Sequence, residues 1–201
     1  MILIGRNTSP FVRRVAISLR LLGLPYEQRL LSTVADRAAV QAINPLGRIP
    51  ALLLEDGEAL IDSGPILDYL DELAGPEKAL VPPAGPERRR VLKLVALALG
   101  AMEKSLACYV ERTLRPADKQ HQDLLNRFAD QARAGLAALD QTGAAPWLAG
   151  ERLTQADISA VAALDFIDAF WPEMLPQGFA PRLRALRQQA YALPAFAETR
   201  P

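Results

Sequence analysis

The chain has 201 residues, half of them apolar and 23% charged. That composition suits one medium domain or two small ones and excludes a disordered chain. Lys and Arg total 23 and so do Asp and Glu, so the formal net charge is zero and there is no basic footprint for nucleic acid or an anionic membrane. With one Cys and one His, an intramolecular disulfide, a Cys-only metal site and the usual His-pair zinc motifs are excluded. The opening Met1-Ile-Leu-Ile-Gly-Arg6 has no basic segment ahead of an apolar core, and no uncharged apolar run is long enough to span a bilayer. The expectation is a neutral, metal-free cytoplasmic protein.

Ile2-Leu3-Ile4 reads as a short buried strand. Ser9-Pro10 opens a helix, because Ser is a favoured N-cap and Pro a favoured first helical residue. Val12, Val15, Ala16, Leu19 and Leu22 share one face of it, and Gly23 stands where it ends. Tyr26 to Leu31 reads as a second strand, and Asp36 to Ala42 as a short helix. Ala51–Leu54 and Ala59–Ile61 flank Glu55-Asp56-Gly57-Glu58, a hairpin with a tight turn at Asp-Gly. Asp62-Ser63-Gly64-Pro65 then starts a helix that Gly75 ends. The order is a βαβ unit followed by a ββα unit.

Gly75 to Pro86 is rich in Gly and Pro and reads as a linker. Beyond it the pattern is helical almost throughout. Long helices are predicted over Arg88 to Leu114 and Asp118 to Leu139. A helix from Thr154 runs to about Phe170, and a last one spans Ala180 to Ala192. Thr154 and Asp157 have the spacing of a capping box, with Leu153 and Ile158 placed as its hydrophobic staple. These four residues are structural. Cys108 lies in an apolar helical stretch and reads as a buried, inert thiol. His121 and the Arg88–Arg90 run read as surface residues.

Four motifs in order resemble the soluble glutathione transferases across nearly the whole chain. They are Thr8-Ser9-Pro10-Phe11-Val12-Arg13-Arg14, Asn44-Pro45-Leu46-Gly47-Arg48-Ile49-Pro50-Ala51-Leu52, Asp62-Ser63, and Trp147-Leu148-Ala149-Gly150 with the cap box after it. The first looks most like serine-type bacterial members, tau-, omega- or zeta-like, without the Cys of the omega and beta classes. The resemblance implies a thioredoxin-like βαβαββα domain over residues 1–76, a linker over 77–85 and an all-helical domain over 86–201. It also implies a homodimer.

The resemblance further implies that glutathione binds in the first domain and is conjugated to a small hydrophobic electrophile. Thiols ionise near pH 8.5, and a hydroxyl hydrogen bond at a positive helix N-terminus favours the thiolate. Ser9 stands at such a place, with Thr8 the rival hydroxyl. Phe11 belongs to the implied site. A cis Pro50 would let the Ile49 main chain meet the cysteinyl part of glutathione, and Arg48 would lie beside the glycyl carboxylate. Ser63 would bind the γ-glutamyl carboxylate at a helix N-terminus. Asp62, one methylene shorter than the more common Glu, would accept from the γ-glutamyl ammonium. Each of these residues also has a plain capping, turn or surface role open to it. An electrophile pocket between the domains is expected from Met102, Ser105, Leu106, Tyr109, Phe166 and Phe170. The rival functions are a glutathione-dependent peroxidase, isomerase or dehalogenase, and a noncatalytic glutathione-binding or interaction module. Lack of a Cys at position 9 argues against thiol–disulfide exchange.

Overall fold

The computed structural model describes residues 1–142 and 146–201. The described residues form two compact units, Met1–Gly85 with Tyr191–Pro201, and Pro86–Ala190. In the first unit the order is β1 (Ile2–Ile4), α1 (Pro10–Leu21), β2 (Glu27–Arg29), α2 (Arg37–Ile43), β3 (Ala51–Leu53), β4 (Ala59–Ile61) and α3 (Ser63–Ala74). The sheet runs β2-β1-β3-β4, with β1 parallel to β2 and antiparallel to β3, and β3 antiparallel to β4. This is the thioredoxin-like arrangement that the sequence predicts.

The unit closes over Leu3 and Leu52 from the sheet, Val12, Val15, Ala16 and Leu19 from α1, and Ile66, Leu67 and Leu70 from α3. The α1 residues are the face read from helical spacing, because positions three and four apart stack on one side. Helix α1 stops as its glycine requires. Gly23 takes φ +69°, its N–H reaches the Arg20 carbonyl, and the Leu24 N–H reaches the Leu19 carbonyl, which makes a Schellman cap.

Gly5 sets how closely the layers meet. At φ +126°, an added Cβ would lie 2.6 Å from Val12 Cγ2 and 3.1 Å from Ile49. Only glycine lets the end of β1 abut both α1 and the loop that carries Ile49.

Several elements differ from the sequence expectation. The hairpin turn has three residues rather than two. The Leu54 N–H closes on the Glu58 carbonyl at 2.8 Å, and Gly57 takes φ +92°. Strand β2 is confined to Glu27–Arg29, since only those residues pair with β1. The linker is pinned to α3 where the Asp71 carboxylate accepts from the Leu80 and Val81 N–H groups at 2.7 and 3.0 Å. Tyr191–Pro201, which the sequence reading places with the helices, groups with the sheet unit instead. The predicted last helix is α7 (Pro181–Ala190), and a short α8 (Pro194–Ala197) that the sequence reading did not name follows it, with Pro194 at its first position, where the missing N–H costs nothing.

The second unit holds α4 (Gly85–Leu114, beginning at the unit boundary), α5 (Gln122–Asp140), α6 (Gln155–Phe170) and α7. Helix α5 begins four residues later than predicted. Ala117–Lys119 is a 3-10 turn, and exposed His121 caps the helix by accepting from the Leu124 N–H. Helix α6 is buried from Gln155 to Ile167, as a helix at the centre of a bundle must be. Its start is the predicted capping box. Asp157 Oδ2 accepts from the Thr154 N–H at 2.8 Å and Thr154 Oγ1 accepts from the Ala156 N–H at 3.3 Å. Asp157 Oδ1 also accepts from the Leu148 N–H at 2.7 Å, and so holds the reciprocal Trp147–Gly150 turn. Burial pushes the Asp157 carboxyl up, against the hydrogen bonds, which pull it down. No described helix is long and apolar enough to cross a membrane.

Asp157→Ala leaves the Leu148 and Thr154 N–H groups buried without acceptors. At about 1–3 kcal/mol for each unsatisfied group, urea unfolding is expected to show a loss of about 2–6 kcal/mol.

Candidate glutathione site

The chain segments that carry the candidate residues meet at one end of the sheet unit. The Ser9 N–H closes a turn on the Arg6 carbonyl at 3.0 Å, and Ser9 caps α1 with φ −80° and ψ 123°. Its Oγ accepts from the Val12 N–H at a long 3.4 Å. Among the described residues nothing accepts from the Ser9 hydroxyl, so its proton is free to donate at the positive end of α1. Thr8 is exposed within the preceding turn.

Phe11, Arg48, Ile49, Pro50 and Asp62 line one open cleft, together with Asn44, Leu46 and Ile61. The Ile49–Pro50 peptide is cis, as the resemblance implies. The N–H and C=O of Ile49 make no hydrogen bond among the described residues. Two main-chain groups beside a cleft are thus left for a ligand or water. Buried Asn44 holds the loop that presents them. Its Nδ2 donates to the Arg48 carbonyl at 2.8 Å and its Oδ1 accepts from the Leu46 N–H at 3.0 Å.

Asp62 takes φ 68° and ψ 145°, a region that non-glycine residues avoid at a cost of about 1–3 kcal/mol. Its carboxylate accepts from the Gly64 N–H at 3.3 Å, and so caps α3. Ser63 begins α3, is 1% exposed and does not line the cleft. Its N–H makes no hydrogen bond among the described residues, as one of the orphan donors of a helix start.

Behind this turn stands Arg14, which is 2% exposed. Its Nη1 donates to Ser63 Oγ at 3.4 Å, and its Nε has no partner among the described residues. Burial lowers its pKa to about 10, and the Asp62 charge works against that fall. Arg14 is therefore cationic at neutral pH, just behind the α3 N-terminus.

The residues expected for the electrophile divide into two groups. Tyr109, Phe166 and Phe170 form an aromatic cluster with ring centroids 5.0–6.0 Å apart. Leu106, half-buried, lies on α4 one turn before Tyr109. Met102 and Ser105 are packing residues instead. Met102 has no exposed surface, and the Ser105 hydroxyl donates to the Ala101 carbonyl at 2.7 Å. Both fall on the buried stripe of α4 that also holds Leu94, Val95, Ala98, Ala101 and Cys108, which helical spacing groups with the core.

The sequence reading assigned no role to Arg14, Asn44, Leu46 or Ile61. Asn44 had a signal, since Asn before Pro-x-Gly favours a side-chain-closed turn. Arg14 had none, because an arginine next to another on a helix reads as a solvated residue.

The family model described as glutathione S-transferase, N-terminal domain, matches residues 3–78, and the C-terminal domain model matches residues 122–189. The GST-like protein YibF of Escherichia coli K12 is 32% identical over 205 aligned positions, covering 100% of this chain and 98% of that protein. Maleylacetoacetate isomerase of Pseudomonas aeruginosa is 31% identical, covering 98% of this chain and 92% of the isomerase. A glutathione transferase family member from Pseudomonas fluorescens Pf-5, solved with bound glutathione, superposes with a TM-score of 0.90. It is 35% identical, over 100% of this chain and 98% of that one. The chain belongs to the glutathione S-transferase family.

The one thiol has no place in this site. Cys108 is fully buried, its Sγ lies 3.7 Å from the Leu125 carbonyl, and burial pushes its pKa up to about 11 despite the charges of Arg112 and Arg133. A disulfide reagent at pH 8 is expected to leave it unmodified in the folded protein and to modify it fully after denaturation.

Proposed function

We propose that this protein is a serine-type glutathione transferase that joins reduced glutathione to a small hydrophobic electrophile. The observation that carries the reading is a set of polar groups unpaired among the described residues, in the lining of one cleft or on residues next to that lining. They are the Ile49 N–H and C=O in the lining, the Ser63 N–H on the residue after Asp62, and the Ser9 hydroxyl two residues before Phe11. Unpaired main-chain groups are rare in folded proteins, and they gather where a ligand completes them.

The assignment follows the chemistry of the tripeptide. Ile49 pairs with the cysteinyl main chain in the manner of an added strand. The γ-glutamyl carboxylate sits at the α3 N-terminus, with the Arg14 charge behind it, and the γ-glutamyl ammonium donates to Asp62. Arg48, exposed at the cleft, meets the glycyl carboxylate. Phe11 supplies an apolar wall. Ser9 donates its proton to the sulfur, and the partial charge of α1 adds to this, so that the thiolate prevails and the thiol proton goes to solvent. The sulfur lone pair then forms the S–C bond. In substitution a leaving group departs with its electron pair, and in addition the product carbanion takes a proton from water. The family context supports a homodimer working in the cytoplasm.

A second reading rests on the likeness to maleylacetoacetate isomerase. Sulfur adds to a conjugated double bond, the bond rotates, and sulfur leaves again, so glutathione is regenerated. A panel of aryl halides, conjugated dienoic acids and hydroperoxides separates the two readings by whether glutathione is consumed.

Calorimetric titration with reduced glutathione is expected to show saturable binding that Ser63→Ala, which removes the hydroxyl that accepts from Arg14 behind the α3 N-terminus, weakens about tenfold, or about 1.4 kcal/mol. Absence of binding at millimolar glutathione overturns the reading and favours an interaction module. Ser9→Ala is expected to lower the conjugation rate at least tenfold with glutathione affinity within twofold. An unchanged rate moves the thiol contact to Thr8.

A further inference from the structure

Arg13 lies one helical turn from Ser9, and its backbone N–H donates to the Ser9 carbonyl at 2.9 Å. Its side chain has no exposed surface. The guanidinium ends among acceptors of the last segment of the chain. Nε donates to the Thr199 carbonyl at 2.9 Å, and Nη2 donates to the Tyr191 hydroxyl at 3.0 Å and to the Phe196 carbonyl at 3.4 Å.

The segment is shaped to present these groups. Thr199 Oγ1 donates back to the Ala195 carbonyl at 2.8 Å. The Phe196 side chain has no exposed surface. The Tyr191 ring lies 5.7 Å from the Arg13 guanidinium and 4.5 Å from that of Arg200. Farther along α1, Arg20 pairs with Glu198.

The cap of α1 is weaker than this anchorage. The one bond that locates Ser9 Oγ is 3.4 Å long, at the edge of hydrogen bonding. The first turn of α1 is held by a buried charge that moves only if two carbonyl contacts and a phenol contact break.

We propose that Arg13 is a positioning residue. Through its guanidinium, Tyr191–Pro201 acts as a strap on the first turn of α1 and holds the Ser9 hydroxyl in register with the sulfur of bound glutathione. This rests on the reading of Ser9 as the thiol's donor. Releasing the strap lets the hydroxyl drift, and a misplacement of about 1 Å is enough to cost one or two orders of magnitude in such a contact.

The test uses the full-length chain. In wild type, Arg13→Met, Arg13→Lys, Ser9→Ala and the Ser9→Ala/Arg13→Met double variant, the ultraviolet absorbance of the glutathione thiolate is followed against pH at saturation. Turnover of an aryl chloride is measured in parallel, below every unfolding midpoint. Arg13→Met is expected to raise the thiolate midpoint by about one pH unit, a tenfold loss of ionisation, with KM for glutathione within twofold. Arg13→Lys, which keeps a cationic donor, is expected to recover part of the shift. The double variant is expected to match Ser9→Ala alone, because residues acting through one contact do not add. An unmoved midpoint in Arg13→Met, or a double variant with multiplied losses, overturns the proposal while a slow Ser9→Ala keeps the Ser9 reading. A fast Ser9→Ala overturns both. If Arg13→Met does not fold, Tyr191→Phe removes a single acceptor. It is expected to raise the midpoint by a few tenths of a unit, and no change overturns the proposal.

Discussion

Helix α1 carries two arginines into the protein interior, and the sheet unit is arranged around satisfying them. Desolvating a buried guanidinium costs several kcal/mol, which hydrogen-bond acceptors and nearby opposite charges offset. Arg13 takes carbonyls and a phenol from the last segment of the chain. Arg14 faces the turn at Ser63, where the charge of Asp62 offsets part of its desolvation. One helix is thereby tied to the end of the chain by one residue and to the α3 start by the next. The division of the chain follows, because Tyr191–Pro201 belongs with α1 and not with the helices before it.

The candidate site uses backbone more than side chain. The Ile49 main chain, the Ser63 N–H and the two helix starts supply its polar groups. Each depends on something rigid nearby. Asn44 closes the loop before Ile49, Gly5 lets that loop sit against β1, and Asp62 holds an unfavourable backbone conformation at the entry to α3. Strain of that kind persists only where surrounding contacts over-determine it.

The helical unit follows a different logic. Its helix α6 is buried from Gln155 to Ile167, and near its end Asp165 and Asp168 pair with Arg184 and Arg187 of α7. The capping box fixes the other end, with one carboxylate joining the start of α6 to the Trp147–Gly150 turn. The same packing takes Met102 and Ser105 out of reach of a ligand and leaves the Tyr109, Phe166 and Phe170 rings gathered on one another.

The sequence alone determined whatever depends on near neighbours. Helical spacing named the buried face of α1, and Gly23, the Asp56-Gly57 turn and the Thr154–Asp157 box marked where elements begin and end. These signals are legible because each works within a few residues, through φ angles and local hydrogen bonds. The segments of the cleft were also legible, since the motifs at Ser9, Ile49-Pro50 and Asp62-Ser63 carry the family resemblance. Tertiary structure alone decided that Arg13 and Arg14 are interior residues, that the last eleven residues complete the sheet unit, and that Met102 belongs to the core. Those outcomes depend on contacts up to 186 positions apart in the chain. An arginine's neighbours in sequence carry no trace of the carbonyl that it will meet there.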